Sequence, residues 1–85
     1  MKTIIPFRGP PIRDFAAHPG LIMALGPVGR AAGNVTLQLR PNGVEVISGD
    51  PNVLLAFIGL LADAQDEAPE GSPLLLLARL DVAES

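Results

Sequence analysis

This chain has no cysteine, no tryptophan and no tyrosine, and it carries only three phenylalanines and one histidine. Without thiols there is no disulfide framework, no thiolate nucleophile and no cysteine-based zinc or iron–sulfur site. Charged residues make up 18% and hydrophobic residues 48%, against roughly 25% charged in an ordinary soluble domain. Such a composition favours collapse over disorder. A long apolar run is missing too. The longest, Val53 to Ala62, spans ten residues. As a helix that is about 15 Å, half the thickness of a bilayer core. Met1–Arg8 lacks the apolar centre of a signal peptide, so a cytoplasmic location with no membrane insertion is expected. At 85 residues the expectation is a single domain, 1–85, with a thin stability margin.

Residues 1–34 read as an irregular Pro/Gly-rich arm, since Pro6, Pro10, Pro11, Pro19 and Pro27 alternate with Gly9, Gly20, Gly26, Gly29 and Gly33. Proline fixes φ and removes a donor, which argues against a long helix or a central strand. Lys2–Phe7 fits a short edge strand. His18-Pro19-Gly20 marks a turn, and Leu21–Leu25 fits one or two helical turns stopped by Gly26-Pro27.

Residues 35–85 read as a strand–hairpin–helix–strand unit. Val35 to Arg40 alternates apolar and polar residues, and Val44 to Ser48 follows across Asn42-Gly43, a strong hairpin signal. With Asn42-Gly43 as the two-residue loop, Arg40 faces Glu45, Leu39 faces Val46 and Gln38 faces Ile47. Asp50-Pro51 then supplies an N-cap and a first-turn proline for a helix reaching Ala64 or Asp66, with Pro69 and Gly71 beyond its end. Leu74–Leu80 is an unbroken apolar run bounded by Gly71-Ser72-Pro73. It reads as a strand covered on both faces, with a terminal helix as the other option. The fold class that results is α+β. A small, mostly antiparallel sheet of three to four strands carries one main helix on one face.

From Val53 to Ala62 the main helix shows no polar side for three turns. A small domain has no room to surround such a helix, so one side is expected to meet another molecule. The candidate partner-binding residues are Val53, Leu54, Phe57, Ile58, Leu61 and Ile47, with Asp63, Asp66 and Glu67 at the helix end. Intramolecular burial is the plainer alternative, and for the acidic cluster it is a solvated surface. Charge is also partitioned. Residues 1–42 carry Lys2, Arg8, Arg13, Arg30 and Arg40 against Asp14, a net of +4. Residues 43–85 carry Arg79 against Glu45, Asp50, Asp63, Asp66, Glu67, Glu70, Asp81 and Glu84, a net of −7. Such asymmetry steers partners or favours self-association.

Catalytic patterns are not evident. His18 beside a turn fits a surface or capping residue better than a general base. Ser48, Ser72 and Ser85 lie outside any nucleophile-elbow context, and Asp63, Asp66 and Glu67 do not form a metal-loop pattern. No enzyme, cofactor or metal is therefore expected. Gly26-Pro27-Val28-Gly29-Arg30 resembles the backbone clamp of KH RNA-binding domains, and Val44 to Pro51 looks like that family's last strand entering its last helix. The resemblance implies nucleic-acid or phosphate binding through Gly26, Gly29, Arg8, Arg13 and Arg30. KH domains have a full helix between clamp and hairpin, where this chain has only Ala31-Ala32-Gly33-Asn34. The order of elements in 35–80 is also similar to the HPr-like phosphocarrier fold. Ile22 follows Gly20-Leu21 where that family has its phosphorylated residue, so no phosphocarrier function is implied. The expected function is a non-catalytic interaction or regulatory protein (a regulator, adaptor or phage- or plasmid-type inhibitor) that binds a protein partner as a homo-oligomer. Nucleic-acid or phosphate binding by the basic first third is the alternative.

Overall fold

A computed structural model describes residues 1–80; Asp81, Glu84 and Ser85 lie outside the described residues. The elements run β1 (Lys2–Pro6), a 3-10 turn (Phe15–Ala17), α1 (Gly20–Ala32), β2 (Thr36–Arg40), β3 (Gly43–Ile47), α2 (Pro51–Glu67) and a second 3-10 turn (Pro73–Leu76). The three strands form one antiparallel sheet in the order β1-β3-β2. Period-two alternation sends Ile5, Phe7, Leu37, Leu39, Val44 and Val46 to one side, where they pack against Leu21, Leu25, Val28, Leu54, Phe57 and Leu61 of the helices. This is an α+β domain with its helices on one face of the sheet.

Helices α1 and α2 lie side by side. A Cβ at Gly33, just past α1, would sit 3.3 Å from Val53 near the start of α2. At the other end, Gly20 of α1 and Gln65 of α2 both meet the second 3-10 turn, through Pro73 and Leu74. The two helices therefore run antiparallel. Asp50 caps α2 by accepting the Asn52 N–H at 2.9 Å, and Pro51 occupies the first turn, as its sequence dictates.

Three expectations are corrected. First, the 1–34 arm is not irregular throughout, because α1 continues for 13 residues through Gly26-Pro27. Leu21, Leu25, Val28 and Gly29 are buried at helical spacing, and that packing outweighs the proline. Pro27 cannot bond back to the Met23 carbonyl, but both residues face solvent, which leaves that carbonyl open to hydration. Second, the hairpin register is two residues away from the expected one. Arg40 pairs with Gly43, Leu39 with Val44 and Gln38 with Glu45. Pro41-Asn42 is the loop, with proline at the first central turn position and no positive φ at Asn42 or Gly43. Gly43 is drawn into the sheet because β1 passes so close that a Cβ there would lie 2.3 Å from the Ile5 carbonyl oxygen. The turn is tied down from outside the hairpin, since Pro41 and Asn42 carbonyls accept the Ile12 and Phe7 N–H groups at 2.8 and 3.1 Å.

Third, Leu74–Leu80 is not a strand. Ser72 accepts the Leu74 N–H and Pro73 starts a 3-10 turn, after which a single antiparallel bridge joins Leu77 to Phe7. The buried Gln65 amide donates to the Leu74 and Leu77 carbonyls at 3.0 and 3.1 Å. Those carbonyls therefore need no partner strand.

Candidate protein-binding surface

Helix α2 divides into two faces. Leu54, Phe57, Leu61, Ala62 and Gln65 are buried, and Phe57 has no exposed surface at all. Leu54, Phe57 and Leu61 are therefore core residues closed to any partner, which corrects their place among the candidate contacts. Val53, Ile58 and Ile47 are half-buried, while Asp63, Asp66 and Glu67 are exposed. Ile47 belongs to the sheet face away from the helices, so it does not share the outer face of α2.

That outer face is defined by residues the sequence reading passed over. Leu55 is 51% exposed and Leu60 36% exposed. Leu55 with Gly59 and Ala56 with Leu60 form two adjacent i,i+4 rows. A Cβ at Gly59 would meet nothing within 4 Å, so the space beside it is open. Glycine inside a helix is destabilising by roughly 0.5–1 kcal/mol relative to alanine, and no neighbour within the chain demands it here. Asp63 and Glu67 continue the Leu55–Gly59 row one and two turns on, and Asp66 pairs with Arg79. The result is a short apolar strip, low at its centre and acidic at one end. A signal for its phase was present: Asn52, Asp63 and Glu67 lie three, four or seven residues from the strip and mark the solvent side.

The residues of the alternative function are dispersed. Gly26 and Gly29 lie inside α1 with no positive φ, so the KH-like clamp is not formed. Gly29 is buried and so close to the sheet that a Cβ would sit 2.9 Å from Val35. Arg30 lies over Gly26 beside a groove of about 310 Å³ that Val35 and Leu37 also line. Arg8 donates its Nε–H to the Leu77 carbonyl at 2.9 Å. Arg13 follows Ile12, which is anchored to the Pro41 carbonyl at the far end of β2. Arg8 and Arg13 therefore both lie towards the β2–β3 turn, whereas Arg30 sits beside the start of β2 and does not join them.

His18 borders a cavity of about 400 Å³ with Gly20, Leu21, Ser72, Pro73 and Leu76. Its backbone carbonyl and N–H bridge Leu21 and Phe15, so it connects the first 3-10 turn to α1. Ser72 is the cap of the second 3-10 turn, and the Ser48 hydroxyl accepts the Asp50 N–H at 3.2 Å. Both serines serve the backbone. Among the described residues no group of three or more metal-ligating side chains is assembled, and no helix is long and apolar enough to cross a membrane.

The fold and this strip define a small α+β domain that displays one helix face. No family model, curated protein or solved structure matches the chain.

Proposed function

We propose that this protein is a non-catalytic interaction module that binds a protein partner through the outer face of α2. One observation supports this above all: Leu55 and Leu60 stand in solvent on either side of Ala56 and Gly59, on a helix whose other face is core. Exposed leucines are unremarkable singly. Two on adjacent helical rows, around a glycine that leaves space for a close approach, fit the helix-against-groove mode of recognition. Asp63 and Glu67 favour a partner with basic groups beside its apolar ridge.

The test uses surface substitutions that spare the core. Leu55→Lys and Leu60→Lys are expected to change folding stability by only about 0.5 kcal/mol, because neither side chain is enclosed. Both are expected to abolish co-purification of the partner from the native host. If the partner is retained by both variants while they remain folded, the α2 face is not the binding surface.

A further inference from the structure

The two edges of the sheet are treated differently. On the outer side of β1, Pro6 interrupts the ladder and the Pro6 carbonyl and Arg8 N–H are taken by Ala78 and Leu76 at 2.7 and 2.9 Å. Among the described residues strand β2 has neither protection: Thr36–Arg40 contains no proline and its pairing with β3 runs without a bulge. Arg40 and Gly43 flank the two-residue turn and pair with each other, so Thr36, Gln38 and Arg40 direct their backbone groups to β3. Leu37 and Leu39 direct theirs outward.

We infer that a second copy of this chain pairs along this edge, β2 against β2, antiparallel about a twofold axis at Gln38. In that register Leu37 of each copy lies opposite Leu39 of the other, and every outward N–H and C=O of the two leucines finds a partner. On the helix side, the half-buried leucines cover one another above the groove of about 310 Å³. Leu37 lines that groove together with Val35, Arg30 and the three glycines Gly26, Gly29 and Gly33, so the incoming leucine meets Leu37 at its rim. On the opposite face, Thr36 of one copy lies beside Arg40 of the other and Gln38 meets its own equivalent. No like charges oppose one another, so the strand is complementary to itself. The product is a six-stranded sheet with both helical layers on one side, displaying the α2 strip twice. This inference goes beyond the proposed function, since it uses a different surface and stands whether or not α2 binds a partner.

Analytical ultracentrifugation of the full chain at micromolar concentration tests the pairing. The expected result is a species of twice 8.8 kDa. Gln38→Lys faces Glu45 within its own sheet but meets a second lysine at the axis, and it is expected to weaken association about tenfold. Thr36→Glu places a carboxylate beside Arg40 of the second copy and is expected to tighten association several-fold. Hydrogen exchange at the Leu37 and Leu39 amides is expected to slow as concentration rises. A monomer throughout, or a dimer that ignores both substitutions, overturns the inference.

Discussion

Gly43 and Gly59 are both glycines in regular structure, yet their substitutions have opposite consequences. At Gly43 a Cβ would lie 2.3 Å from the Ile5 carbonyl oxygen and 2.9 Å from the Pro6 Cα, both backbone atoms that cannot move alone. Gly43→Ala is therefore expected to cost about 3 kcal/mol or more in urea unfolding, by prising β1 from β3. At Gly59 the same methyl group enters open space. Gly59→Ala is expected to raise stability by about 0.5–1 kcal/mol, because alanine is the better helix former. It should also weaken partner binding by filling the low point of the strip, so the two readouts move in opposite directions. Gln65 carries a different load. Its amide donates to the Leu74 and Leu77 carbonyls, while its own Oε1 is buried and finds no partner among the described residues. Gln65→Ala removes one donor from each of those carbonyls, which keep the Leu77 N–H and the Arg8 Nε–H, and is expected to destabilise the fold by about 1–2 kcal/mol, measured by the same unfolding experiment.

Among the elements, α2 and the hairpin were the most legible, because their signals are local. Asp50-Pro51 announces a helix start in two adjacent residues, and the alternation of Val35–Arg40 and Val44–Ser48 marks two strands. The register of that hairpin was not legible. It depends on β1 seating against Gly43, a contact between residues distant in the chain. Helix α1 was obscured by Pro27, whose local effect is unfavourable but small beside the burial of Leu21, Leu25 and Val28. Pro27→Ala restores a donor to the Met23 carbonyl and is expected to stabilise the protein by about 1–2 kcal/mol in thermal unfolding. A loss of stability instead would show that the proline ring is needed in its place. The Leu74–Leu77 run was ambiguous for another reason. Four leucines have no periodicity, and the choice of a 3-10 turn was made by Ser72, Pro73 and the distant Gln65.

For the molecule as a whole, the ten-residue apolar run does mark a helix, but most of the residues singled out on it face inward. Leu54, Phe57 and Leu61 fill the core beneath the helix while Leu55 and Leu60, of the same size as the buried leucines, face outward, so helical phase and not residue size decides which are enclosed. What is left outside is smaller and interrupted by Ala56 and Gly59, with the acidic end of α2 beside it. The basic first third is not a single surface either, since Arg8 is tied to Leu77 and Arg30 lies across Gly26 at the other end of β2. The central claim is the proposal that the outer face of α2, a surface separate from the β2 edge, receives the protein partner. Photocrosslinking inside the native host tests it most directly, with a photoreactive residue placed at Leu60 in one variant and at the exposed Arg13 in another. The expected result is a discrete adduct with one protein from position 60 and none from position 13. Adducts of the same pattern from both positions, or none from position 60, would contradict it.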